Sequence, residues 1–295
     1  MAADRRYQWG LGALAQGEAD AARDLFSQAL DLAPDWAPAW FALAQALDQL
    51  ERRDEARAAY QRSQALDPGD SQGASLALAR LGAQPPASAP RAFVQILFDQ
   101  YAAHFDRHLV EKLAYRGPEI LCAALEQVAP GRRFAQVLDL GCGAGLFAAA
   151  IRPRADSVIG VDLSPAMVEQ ARAKNLYQRL AAADLTEFLG EEPAESADLA
   201  AAADVFVYIG DLAAVFAGVA RVLRPGGLFA FTAQSGAAGG FSVGEDLRFA
   251  HGDSYLRELA LAHGFVVEEF FAASTRKDRG VDVAGWAAVL RKKGR

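Results

Sequence analysis

Residues 137–150, VLDLGCGAGLFAAA, constrain the fold of this 295-residue chain more than any other stretch. Val137, Leu138 and Leu140 are bulky and apolar, as a strand covered on both faces requires. Gly141, Gly143 and Gly145 follow at alternate positions, and an apolar helical stretch follows them. Without Cβ atoms, these glycines permit a sharp turn and a close approach of a ligand to the backbone. The N–H groups at the start of the next helix suit a negative or polar ligand group. A second apolar run, residues 157–161, ends in Asp162. An acidic residue at that strand end is placed to accept hydrogen bonds from both ribose hydroxyls of a nucleoside.

The spacing decides which nucleoside is expected. A dinucleotide fingerprint needs a third glycine three residues after the second, and Leu146 occupies that place. The pattern present is D-L-G-C-G-A-G, with Asp139 two residues before the first glycine. This stretch resembles the class I S-adenosylmethionine-dependent methyltransferases. The resemblance implies S-adenosyl-L-methionine as cofactor. Its methionine part would be held by Asp139 and the loop Gly141, Cys142, Gly143 and Gly145, and its ribose by Asp162. Leu163 or Met167 would pack on the adenine; Asp184, with the N–H of Leu185, would meet the adenine edge. Asp204, near the end of the fourth strand, would point into the same cleft. The helix–Pro225-Gly226-Gly227–strand arrangement after Arg221 also recurs in that family, as a turn. The family's usual last strand runs antiparallel.

A second pattern precedes the first. Across residues 3–70, Gly10 corresponds to Ala44, Ala22 to Ala56, Phe26 to Tyr60, Ala29 to Ser63 and Pro34 to Pro68. The common offset resembles the tetratricopeptide repeat, a helix–turn–helix unit of about 34 residues. Small residues fall where two helices cross, and the prolines end each second helix. Residues 71–81 read as one further helix. Such an array serves packing or self-association, or it binds a protein partner. Residues 84–90, QPPASAP, read as a semi-extended linker.

Residues 91–128 read as two helices. Tyr101 and His104 lie three apart on one helical face. The F-D-x-Y-A-x-x-F-D segment is similar to one that acts as a cofactor lid in some small-molecule methyltransferases. His251 and Tyr255 follow a glycine-rich stretch that reads as a loop. A histidine neutral near pH 7 can take a proton from a hydroxyl or amine, so His251 and His104 are the candidate catalytic bases.

Acidic residues outnumber basic ones, 37 to 30, for a formal net charge of −7, which argues against a general nucleic-acid binder. Two cysteines make neither a disulfide scaffold nor a metal site. The opening residues carry no apolar leader, and no run is long enough to span a membrane, so the expected location is cytoplasmic. The expected fold is α/β, a Rossmann-like seven-stranded class I methyltransferase sheet behind an all-α repeat module. Its expected boundaries are 1–83 for the repeats, 84–91 for the linker and 92–295 for the methyltransferase domain. The expected reaction is methyl transfer to an O, N or C nucleophile. After Asp204 stands Val205-Phe206-Val207 and no Asn/Asp-Pro-Pro-aromatic motif, which favours a small-molecule acceptor. Two alternatives remain open: cofactor-dependent chemistry without methyl transfer, and a repeat scaffold with an inert cofactor fold.

Overall fold

A computed structural model describes residues 2–102, 115–237, 239–278 and 280–294. The chain divides into two units, Met1–Phe93 with Val243–Leu247, and Val94–Ser242 with Arg248–Arg295.

The first unit is built from helices α1 (Ala2–Ala15), α2 (Ala19–Leu32), α3 (Ala37–Gln49), α4 (Arg53–Leu66) and α5 (Ala74–Arg80). The 34-residue offset is physical. Phe26 and Tyr60 are both buried at equivalent positions. A Cβ on Gly10 would lie 2.5 Å from the Phe26 ring, so the small residue is what lets α1 approach α2. Ala44, its equivalent, is fully buried, and Phe41 packs edge-on against Tyr60 at 5.3 Å. The fifth helix begins at Ala74, later than its sequence suggests. The Asp70 carboxylate accepts from the N–H groups of Ala74 and Ser75, and Gly73 takes a left-handed φ of 75°, so the turn before the helix is capped from outside it. Arg80 pairs with Asp48 and with Glu245, and Leu247 packs on the same apolar cluster.

The second unit holds a seven-stranded sheet of order β3-β2-β1-β4-β5-β11-β8. Its strands are β1 (Phe134–Leu140), β2 (Ala155–Asp162), β3 (Arg179–Ala182), β4 (Ala197–Ala202), β5 (Leu223–Gln234), β8 (Phe265–Ala273) and β11 (Gly285–Lys292). The first five run parallel, and β11 runs antiparallel between β5 and β8. Strand order reverses direction between β1 and β4, and the crevice at such a point is where open α/β sheets bind ligands. Alternation along β1 sends Leu138 and Leu140 into a cluster with Phe206, Phe216, Phe229 and Phe231. It sends Val137 to the opposite face, with Phe134 and Phe147. Asp139 shares the parity of Val137.

Pro225-Gly226-Gly227 interrupts β5 where a turn ahead of the strand was expected. Ala197 pairs with Leu223 and Leu199 with Leu228, so the segment is looped out as an irregularity in one continuous strand. The stretch read as a loop before His251 contains strand β6 (Phe241–Val243), which pairs with β7 (Phe249–His251). Among the described residues, no helix is long and apolar enough to cross a membrane, and no His, Cys, Asp and Glu cluster could hold a metal ion.

Truncating Phe26 to Ala removes the ring that fills the space above Gly10. The expected cost is about 3–5 kcal/mol, measured as a fall in the urea midpoint followed by helical circular dichroism.

Candidate cofactor site

The turn after β1 needs glycine at each expected place. Gly141, Gly143 and Gly145 have φ values of 69°, 50° and 91°, a region that side chains disfavour. A Cβ on Gly141 would also sit 2.5 Å from Val205. The turn is tied to the end of β2 at two points, and Asp162 also holds the turn after β2. The Cys142 N–H donates to the Val161 carbonyl at 2.8 Å. The Gly143 N–H donates to Oδ2 of Asp162 at 2.8 Å, and the Ser164 N–H to Oδ1 at 2.9 Å. Asp162 thus faces the turn with each oxygen held by one backbone donor and still able to accept another. Burial raises its carboxyl above the usual range, and the Ser164 and Gly143 donors oppose that.

Asp139 is 2% exposed. Its Oδ2 accepts a hydrogen bond from the Tyr177 hydroxyl at 2.7 Å. Burial pushes its carboxyl up to about 7, against the pull of that hydroxyl, and the neighbouring Asp162 charge adds to the rise. No ion pair to Asp139 is present among the described residues. Tyr177 was read as part of the third strand, yet it lies just before it. The clue in the sequence is chemical: a buried tyrosine must place its hydroxyl on a partner.

Ser164 opens the helix Pro165–Ala173, its Oγ accepting from the Met167 N–H at 3.1 Å. The same hydroxyl donates to Asp99 at 2.5 Å, which ties helix α6 (Arg91–Tyr101) to the turn after β2. Phe98 packs edge-on against Tyr208 at 5.3 Å. Ala102, Ala144 and Met167 form a small cluster with Phe98 and Ala166. Tyr101 therefore ends a helix fastened beside the glycine turn, and it is 44% exposed. Met167 is fully buried within that cluster, while Leu163 is half-buried. His104 lies outside the described residues.

Asp184 caps the helix Leu185–Glu191, accepting from the Thr186 and Glu187 N–H groups at 2.8 and 3.3 Å. Leu185 is half-buried against the core.

Asp204 differs from expectation. Its backbone is left-handed, φ 60°, and its N–H donates to the Thr232 hydroxyl at 2.9 Å. Its carboxylate accepts from Thr275 Oγ1 at 2.7 Å and from Arg276 Nη1 at 2.8 Å. Arg276 is 5% exposed and also donates to Gln234 at 2.9 Å. One oxygen accepts from Thr275 and the other from Arg276, so Asp204 ties the end of β4 to the loop after β8. The same loop receives the Arg116 N–H at Thr275 O and the Arg116 guanidinium at Ser274 O. Neither Arg276 nor Thr275 stands out in a polar loop read as sequence.

His251 also departs from its expected role. It is fully buried, with Nε2 3.0 Å from the carbonyls of both Ile209 and Gly210. Those acceptors require the proton on Nε2, and Nδ1 has no partner among the described residues. The ring stacks on Tyr255 at 6.0 Å. Burial pushes its pKa down to about 4. A ring held this way is tied to the loop after β4 through the carbonyls of Ile209 and Gly210.

Comparison with known proteins agrees with this geometry. Residues 138–231 match a methyltransferase domain family, and residues 13–81 match a tetratricopeptide repeat family. The human methyltransferase-like protein 27 is 43% identical over 101 residues, 34% of this chain and 39% of that protein. A malonyl-[acyl-carrier protein] O-methyltransferase of Salmonella typhimurium is 38% identical over 109 residues, 37% of this chain and 43% of that protein. The chain thus spans about two fifths of the length of these curated relatives. Among solved structures, 1,6-didemethyltoxoflavin-N1-methyltransferase of Burkholderia thailandensis, with bound S-adenosylhomocysteine, superposes with a TM-score of 0.54 at 20% identity. That match covers 72% of this chain and 94% of the other, and it shows a shared fold.

The buried, neutral His251 makes stability depend on acid in a defined direction. Its pKa is about 4 folded and about 6.5 unfolded. Between those values only the unfolded chain takes the proton, so stability is lost as pH falls, by up to about 3 kcal/mol. The His251→Asn variant is expected to lose less stability than wild type between about pH 7 and pH 4, measured as the change in urea midpoint.

Proposed function

We propose that this chain is an S-adenosyl-L-methionine-dependent methyltransferase acting on a small-molecule O, N or C nucleophile. The observation that carries this reading is Asp139: a buried carboxylate with no cationic partner among the described residues, beside a turn of three left-handed glycines. A site of that kind fits the ammonium group of a methionine moiety. The loop residues Gly141, Cys142, Gly143 and Gly145, three of them glycines at positive φ, offer backbone groups as a lining. Asp162, fixed by two backbone donors, keeps lone pairs for ribose hydroxyls. Half-buried Leu163 offers an apolar surface for the adenine, where Met167 is committed to its own cluster. Asp184 and the N–H of Leu185 are the candidates for the adenine edge, and Tyr101 for the cover.

The bound cofactor supplies a methyl group already activated for transfer. What the chain contributes is orientation and the exclusion of water, which together account for large accelerations in such reactions. The Nε2 of His251 is engaged by the carbonyls of Ile209 and Gly210, and burial keeps the ring neutral. The repeats offer a surface for a protein partner or a second copy of the chain.

Replacing Asp162 with Ala removes an acceptor whose bonds are worth about 1.5–3 kcal/mol each. Titration calorimetry should therefore report S-adenosylhomocysteine binding at least about tenfold weaker in a folded variant. The reaction itself is checked by the release of one S-adenosylhomocysteine per methylated product; unaltered affinity in the variant would refute the assignment.

A further inference from the structure

The ring of Tyr177 occupies a slot made by two glycines. A Cβ on Gly160, in β2, would lie 2.7 Å from Tyr177 Cε1. A Cβ on Gly145, in the turn after β1, would lie 3.2 Å from Tyr177 Cε2 and from its hydroxyl. Through that slot the hydroxyl reaches Asp139, 38 residues away in sequence. Ring placement and hydrogen bond are separate features, and both direct the tyrosine at one oxygen of one buried carboxylate.

The surroundings of Asp139 make that donor consequential. From the end of β2 it meets Asp162, a like charge. From the turn it meets the thiol of Cys142, which burial holds protonated. From the helix Gly117–Val128 and the segment before it come Cys122 and Tyr115, both held neutral by burial. The stem of Lys174 lies by Gly145. Arg276, whose charge acts on Tyr115, is paired with Asp204. Desolvation and the Asp162 charge both favour the protonated carboxyl; the Tyr177 hydroxyl opposes them, and the backbone of Ala148 does so to a smaller degree.

We propose that Tyr177 is a positioning residue that acts through Asp139, its donated hydroxyl favouring the ionised carboxylate that a cationic ligand group needs. This rests on the cofactor reading above, in which Asp139 receives the ammonium of the methionine moiety. Only the ionised carboxylate attracts that group, so affinity falls as pH drops and Asp139 takes a proton. Without the hydroxyl, protonation sets in at a higher pH.

The test is titration calorimetry of the full chain with S-adenosylhomocysteine between pH 6 and pH 8.5, comparing wild type with Tyr177→Phe, which keeps the ring in its slot. A shift of about one pKa unit is a tenfold change in the protonation equilibrium. The variant should then bind about eightfold more weakly at pH 6.5 and within about twofold of wild type at pH 8.5. A purely structural role would weaken binding equally across the range, and that result would overturn the proposal. A wild-type affinity flat across the range would overturn it without the variant. Carbon NMR of labelled aspartate in the ligand-free protein supplies a second readout, with the Asp139 titration moving upward in Tyr177→Phe. An unmoved titration refutes the role of Tyr177 even where ligand binds. Absence of wild-type binding at every pH refutes the cofactor reading, and the proposal with it.

Discussion

The site depends on one carboxylate. Asp162 closes β2 and accepts from the N–H groups of Gly143 and Ser164, one on each oxygen. The first of these belongs to the turn after β1 and the second to the turn after β2, so a single side chain sets the distance between two loops. Ser164 passes the constraint onward, capping its own helix and donating to Asp99 in α6. The glycine turn, the helix Pro165–Ala173 and α6 are therefore held in series from one residue. Hydrogen bonds to a charged acceptor contribute more than neutral ones, and burial here excludes competing water.

Two further carboxylates at strand ends have different fates. Asp139 is buried with a neutral donor and no counter-charge among the described residues, and its proton affinity rises accordingly. Asp204 is half-buried and accepts from Thr275 and from the buried Arg276, whose guanidinium also holds Gln234, and this ties it to the loop after β8. Residue type is the same; the difference is the neighbouring cation, present beside Asp204 and absent beside Asp139 among the described residues. Breaking a buried pair of this kind leaves a charge uncompensated, so Asp204 and Arg276 hold the loop after β8 as a unit.

That difference also marks how far the amino-acid sequence could be read. The repeats were legible because Phe26 and Tyr60, or Gly10 and Ala44, report the same helix crossing at a fixed interval. The turn at Gly141–Gly145 and the acid at Asp162 were legible because their roles arise within one strand–turn–helix unit. The start of α5 was misplaced by three residues because the cap is the side chain of Asp70, outside the periodic pattern. Arg276, Tyr177 and the burial of His251 were not legible, since each depends on segments brought together only by the completed sheet. A histidine after glycines reads the same whether the hairpin presents it or covers it.

The position of β11 has a consequence for how the sheet is made. It is the last strand in the chain, yet it lies inside the sheet, hydrogen-bonded on both sides. Until residues 285–292 have left the ribosome, β5 offers an open edge whose side chains, Leu228 to Phe231, are all fully buried in the finished protein. β8 has no neighbour at all in that interval. An apolar, unpaired edge of this length is a template for wrong pairing. Synthesis therefore passes through a stage in which the five parallel strands are present and unsealed, and the final eight-residue strand acts as the seal.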